Sequence, residues 1–174
     1  MGANKVLDCK YFARPATELA ADLLGKWLCV RRDGVILKRR ITETECYYGE
    51  EDTACHAHKG KTPRTEVMYL SGGITYVYLC YGIHSLLNLV TGPEGHPEAV
   101  LIRAVEGVVG PGRVTKFFSI TQKDNRVMLE PNFDIWLEDD QKAPLEYKRL
   151  PRVGIDYADL KDRQRLWRFV AIDR

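Results

Sequence analysis

Trp27-Leu28-Cys29-Val30-Arg31-Arg32-Asp33-Gly34-Val35-Ile36-Leu37-Lys38-Arg39-Arg40-Ile41-Thr42-Glu43-Thr44-Glu45 decides the fold class. The runs Trp27 to Arg32 and Val35 to Glu45 are rich in β-branched and apolar residues, and Asp33-Gly34 between them tolerates the positive φ angles of a tight hairpin turn. On the second run, period-two alternation predicts Val35, Leu37, Ile41, Glu43 and Glu45 on one face, so that two carboxylates continue the line of an apolar stripe. Acids on a core face require an explanation, and that requirement singles out Glu45.

Working outward, Pro15 followed by Leu19, Ala20, Leu23 and Leu24, with Gly25 behind, predicts a short amphipathic helix that starts near the proline, stops at the glycine and covers a sheet face. Glu50 to Arg64 is polar and irregular and reads as a long loop, with two histidines that favour a functional one. Ile74 to Tyr81 and Leu86 to Thr91 predict a second strand pair around Gly82, and Ala99 to Val105 a further strand. Gly110-Pro111-Gly112 is a breaker, after which Val114, Phe117, Phe118 and Ile120 fit a short helix, and Phe133 to Leu137 fits a strand. With no internal repeat, linker or composition shift, residues 1–174 are expected to form one mixed α+β domain, a mostly antiparallel sheet with flanking helices and a protruding β-hairpin.

A composition of 45% hydrophobic and 29% charged residues is ordinary for a globular chain, and no run of apolar residues is long enough for a membrane span. Met1 to Val6 carries no apolar signal core, and the five cysteines (Cys9, Cys29, Cys46, Cys55, Cys80) are scattered and odd in number; reduced thiols in an intracellular compartment are expected. The net charge of +2 does not announce a nucleic-acid partner, because a strongly basic domain is the usual footprint. Distribution carries that argument instead, through clusters at Arg31-Arg32, Lys38-Arg39-Arg40, Lys59-Lys61-Arg64 and Lys161 to Arg168.

A carboxylate drawn into a partly apolar wall loses solvation, its pKa rises, and it becomes a useful general base near neutral pH. Around Glu45 lie Tyr47, His56 and, on the next hairpin, Tyr76, Tyr78 and Tyr81, an aromatic density suited to gripping a flat heterocycle. Tyrosines in strands also serve as ordinary core residues, so spacing alone leaves both readings open. Glu43 fits a structural role, paired with an arginine such as Arg40 or Arg103. Cys46, Cys55, His56 and His58 match no common zinc spacing, and neither metal nor cofactor is expected. His84 and His96 read as surface or turn residues.

Glu43-Thr44-Glu45-Cys46-Tyr47-Tyr48-Gly49, then Glu51-Asp52-Thr53-Ala54-Cys55-His56 and Thr62-Pro63-Arg64, resemble the signature of the alkyladenine (3-methyladenine) DNA glycosylases. The resemblance continues through Tyr76-Val77-Tyr78-Leu79-Cys80-Tyr81-Gly82, Asn88, Leu101 to Glu106, Gly110-Pro111-Gly112 and Arg152-Val153-Gly154-Ile155, in order from about residue 12 to 172. The chain departs from the family pattern in two places. Glu106 leads almost directly to Gly110, and the familiar proline before Trp167-Arg168-Phe169 is missing, so this looks like a compact version.

The resemblance implies that Glu45 deprotonates the water that attacks the sugar carbon, with Arg103 helping to hold that water beside a backbone carbonyl near Ile155. It implies that Tyr47 and Tyr78 sandwich the extruded base, that His56 hydrogen-bonds to it or to the neighbouring backbone, that Asn88 rejects the 2-amino group of guanine, and that Tyr81 fills the gap left in the duplex. The implied partner is double-stranded DNA containing damaged purines, met by a monomer with no membrane attachment. No lysine stands where the family would use a nucleophile, so no lyase step is expected. Two rival readings are a lesion-binding protein that does not cut and a hydrolase of free nucleosides. The presence of Glu45 argues against the first, Tyr81 and the basic clusters against the second.

Overall fold

The computed structural model describes residues 2–172. Along the chain these form β1 (Lys5–Val6), α1 (Cys9–Phe12), α2 (Ala16–Asp22), β2 (Trp27–Arg32), β3 (Val35–Tyr48), β4 (Thr75–Cys80), β5 (His84–Val90), β6 (Glu98–Val105) and β7 (Val108–Val109). Then follow α3 (Pro111–Phe118), β8 (Ile135–Asp139), β9 (Tyr147–Leu150), α4 (Leu160–Arg163) and β10 (Arg168–Ala171). The main sheet order is β1-β8-β2-β3-β6-β5-β4, and the strand pairings of the sheet are antiparallel. Thus the molecule is α+β, as its alternation of strands and short helices predicts.

The β2–β3 hairpin forms where the sequence places it. Asp33 and Gly34 sit at φ of 51° and 76°, the positive pair that a two-residue turn needs to follow strand twist. Pro15 caps α2, and the chain leaves that helix through Leu23 and Leu24 to Gly25 at φ of 88°. The breaker at Gly110 is itself the start of α3, with Pro111 in the first turn, where its missing N–H costs nothing. The strand expected at Phe133 to Leu137 begins two residues later. Pro131–Phe133 first makes a tight helical turn, and Asp134 at φ of 72° reverses the chain.

One expectation is corrected by the ladder itself. The pairing of β3 with β6 advances two residues on β3 for one on β6 between Ile41 and Glu43, then one for two between Glu43 and Thr44, a bulged irregularity across which the phase of alternation changes. Ile41 and Cys46 therefore pack in the main core, and the Thr44 hydroxyl donates to the Ala20 carbonyl of α2 at 2.5 Å. Glu43 and Glu45 point to the other face. The carboxylates do not continue the Ile41 stripe; the bulge separates them from it.

Beyond the bulge the sheet has two faces of different character. Val77, Leu87, Leu89, Val100 and Ile102 pack under α2 and α3 with Phe12, Leu19, Val114 and Phe118. The alternate residues face away from the helices, and pairings Arg168↔Glu45, Glu45↔Leu101, Leu101↔Asn88 and Asn88↔Tyr76 align them in one row across five strands. β10 has no counterpart in the expectations, yet it takes up the edge of β3 at Glu43 to Glu45. The β4–β5 hairpin belongs to this sheet through β6, and its tip carries Tyr81, which is 93% exposed.

Candidate active site

Glu45 is fully buried in this row, between Arg168 of β10 and Leu101 of β6. Its Oε1 accepts from the Tyr47 hydroxyl at 3.0 Å and from Arg103 Nη1 at 3.4 Å, and its Oε2 accepts from the Val153 backbone N–H at 2.7 Å. Burial pushes its pKa up, while Arg103, the Val153 N–H and the Tyr47 hydroxyl pull it back down. This is the balance a general base needs: desolvated enough to hold a proton, yet supported enough to ionise. Burial, together with the Glu45 charge, raises the Tyr47 phenol well above its usual value and so keeps it a donor.

The alternate residues wall a cavity of about 1060 Å³, lined by Tyr47, His56, Tyr76, Tyr78, Asn88 and Arg103 among others. Tyr81 stands at its edge on a strained φ of 51°. Glu45 does not itself reach the wall. Its three partners, Tyr47, Arg103 and Val153, do, so the carboxylate lies one layer behind the cavity surface.

Each wall residue is held by identifiable contacts. Tyr76 and Tyr78 alternate on β4 with Val77 between them in the core, and their rings lie 5.3 Å apart. His56 Nδ1 is 2.9 Å from the Tyr76 hydroxyl, and its ring meets that of Tyr78 edge-on at 4.6 Å. The Asn88 side-chain amide donates to the Tyr76 carbonyl at 3.2 Å. Arg103 bridges two acids, because its Nε also lies 3.5 Å from Glu43 Oε1. Glu43 further accepts from Arg168 Nη1 at 3.1 Å, so the expected structural pairing falls on Arg103 and Arg168, whereas Arg40 pairs with Asp140.

Burial pushes the His56 pKa down to about 4, assisted by the nearby charge of Arg64. The unfolded ring, near 6.5, binds its proton more readily than the folded one. His56 therefore contributes stability that is present above about pH 6.5 and is lost as the pH falls toward 4. In an NMR titration of the four histidines, the His56 ring is expected to stay neutral down to about pH 5; an inflection near 6.5 for all four refutes the assignment.

Several contributors carry no sequence signal of their own. The Val153 N–H is a backbone group that donates to the Glu45 carboxylate, and the Ile155 carbonyl nearby accepts from the Ala158 N–H at 3.0 Å. Arg152, next to Val153, is buried with Asp52 and lies 4.9 Å from the Tyr47 ring centroid and 5.0 Å from that of Trp167. Among the described residues no three metal-ligating side chains converge, and no helix is long and apolar enough to cross a membrane.

Comparison with known proteins connects this geometry to a family. The sequence matches the family described as methylpurine-DNA glycosylase over residues 10–110 and 107–174. Relatives described provisionally as 3-methyladenine DNA glycosylases include one from Psychrobacter cryohalolentis, 46% identical over 89% of this chain and 87% of the relative. Another, from Myxococcus xanthus, is 44% identical over 85% and 81%; a third, from Methanocella arvoryzae, is 40% identical over 94% and 91%. An α+β sheet with a buried acid behind an aromatic cavity, joined to these matches, defines a DNA glycosylase, an N-glycosyl hydrolase. The chain belongs to the methylpurine-DNA glycosylase family.

Proposed function

We propose that the protein removes alkylated or deaminated purines of the 3-methyladenine, hypoxanthine and ethenoadenine class from duplex DNA, acting as a monomer inside the cell. The observation that carries this reading is Glu45, fully buried directly behind an aromatic cavity and held by Tyr47, Arg103 and the Val153 N–H. The nucleotide rotates out of the helix, its base enters between Tyr47 and Tyr78, and Tyr81 occupies the space it leaves. Extrusion costs a few kcal/mol, whereas aromatic stacking returns roughly 1–3 kcal/mol per base, so two rings largely offset it.

With the Tyr76 hydroxyl donating to Nδ1, neutral His56 carries its proton on Nε2 and donates there to the base or its backbone. Asn88, fixed by its bond to the Tyr76 carbonyl, crowds a 2-amino group and so disfavours guanine. The Arg103 contact to Glu45 is long at 3.4 Å, and a water oxygen inserted there meets both a base and a cation. Ionised Glu45 takes the proton of that water and stabilises the positive charge that grows on the sugar as the base departs. No side chain forms a covalent bond to the substrate.

The test is direct. Incubated with 32P-labelled duplexes carrying hypoxanthine, ethenoadenine or 3-methyladenine, the protein is expected to leave abasic sites that alkali converts to strand breaks, with no cleavage before alkali and none in undamaged duplex. Failure to release any of the three bases ends the reading.

A further inference from the structure

We propose that Arg64, held over the ring of Tyr78, is a specificity-determining residue that makes the cavity favour neutral damaged purines over cationic ones. The inference rests on the glycosylase reading and goes beyond it by assigning a charge preference. Arg64 lines the cavity, and its guanidinium carbon lies 5.1 Å from the Tyr78 ring centroid. Among the described residues Arg64 forms no ion pair, and Glu66, two positions on, is taken by Arg126 at 2.7 Å. Among the described residues the other charged side chains of the cavity wall are Arg103, Arg113 and Lys116, and no carboxylate lines it. The charge of Arg64 is felt by the groups that would touch the base. It assists in lowering the His56 pKa and opposes the burial that raises Tyr76 and Tyr78.

Two consequences follow for a base resting on Tyr78. First, a cation on a tyrosine ring already engages the face that attracts positive charge, so a second cation in the form of an alkylated purine gains less from it. Second, cleavage of the bond between the sugar C1′ and the base nitrogen sends both bonding electrons to the base. The water oxygen bonds to C1′, and the proton it loses at Glu45 ends on the departing base when that base is neutral, or in solvent when the base left as a cation. As the bond breaks, and before any proton reaches it, the charge on the base falls by one in either case, and a fixed cation nearby stabilises the change. A neutral lesion collects this gain in full. A cationic lesion loses in binding what it gains in the chemical step, because Arg64 repels it on arrival.

The experiment compares the unsubstituted protein, Arg64→Gln and Arg64→Lys under single-turnover conditions over a range of protein concentrations, on duplexes carrying hypoxanthine, which is neutral, or 3-methyladenine, which is cationic. For an exposed charge acting across one ring, the effect is on the order of fivefold. With hypoxanthine, Arg64→Gln is expected to lower the maximal rate about fivefold and leave the half-saturating concentration unchanged. With 3-methyladenine, rate and half-saturating concentration are expected to fall together by that factor. Arg64→Lys, which keeps the charge, is expected to behave as the unsubstituted protein. An equal loss of efficiency on both lesions, as a phosphate contact or a structural role would give, overturns the proposal, and so does no change on either. Excision of neither lesion by the unsubstituted protein overturns the glycosylase reading first.

Discussion

Glu45→Gln is expected to leave binding of a lesion-bearing duplex within about threefold and to lower single-turnover excision by roughly 10²–10⁴, the range associated with loss of a general base. The substitution is nearly isosteric, and the site can absorb it. A glutamine oxygen turned to the Val153 N–H keeps the 2.7 Å bond, and its amide nitrogen can donate to the Tyr47 oxygen, since a hydroxyl accepts as well as donates. Arg103 loses one acceptor and retains Glu43. Folding is therefore not at stake, and a thermal midpoint at or above that of the unsubstituted protein is expected, because a desolvated charge has been removed. Binding by fluorescence anisotropy and excision on the same preparation separate the two effects. The unsubstituted protein carries a second signature of the same residue. Burial raises the Glu45 pKa, and a base acts only when ionised, so on the proposed mechanism excision is expected above that pKa and its loss is expected as the pH falls through it. The acid limb of the rate profile is expected above the ordinary glutamate value of about 4.3 and absent from the residual activity of Glu45→Gln. Undiminished excision by that variant removes Glu45 from the mechanism.

How much of this was legible in the sequence differs by kind of interaction. The β2–β3 hairpin was readable because Asp33-Gly34 encodes its turn locally, and the same holds for the helix between Pro15 and Gly25. Glu45 stood out for a partly mistaken reason. The alternation that set it on the Ile41 stripe is broken by the bulge, which arises from the pairing of β3 with β6 and has no signature within β3 alone. β10 escaped notice because Arg168 to Ala171 is short and begins with a charge; it becomes a strand only when the edge of β3 is there to pair with. Tyr47, His56 and Tyr78 stood out as an aromatic set by residue type, Asn88 and Arg103 were added by the resemblance, and the cavity that all five line is walled by neighbouring strands β3, β4, β5 and β6 and the loop that carries His56. The Val153 N–H and the charge of Arg64 on Tyr78 depend on loops folding back from distant parts of the chain, where residue type gives no guide.

Arg152→Ala is expected to cost roughly 3–5 kcal/mol, the range for breaking a buried ion pair by removing one partner. Arg152 and Asp52 have side chains 0% and 1% exposed, and the guanidinium spans both carboxylate oxygens at 2.6 and 2.9 Å. It also donates to the carbonyls of Cys46 at 2.9 Å and Asp162 at 3.3 Å, joining β3, the loop after it and the C-terminal segment. Truncation leaves Asp52 charged and dry, with only the backbone N–H groups of Tyr48 and Ala54 at 3.1 Å each. It also opens a gap beside the rings of Tyr47 and Trp167. Since a domain of this size is stable by about 5–15 kcal/mol, the loss is a large share of the total. Lysine is a poor replacement, because one ammonium with three donors cannot meet two carboxylate oxygens and two carbonyls at once or stack on a ring as a planar group does; Arg152→Lys is expected to recover less than half. Urea titrations with an unchanged slope should show both losses as shifts in midpoint. Because Val153 follows directly and its N–H holds Glu45, the fraction of Arg152→Lys that remains folded is also expected to excise more slowly at saturating protein, with its acid limb displaced upward as the support of the carboxylate weakens. A loss below about 1 kcal/mol for Arg152→Ala would mean that water reaches Asp52 and that the pair is not the clasp its burial implies.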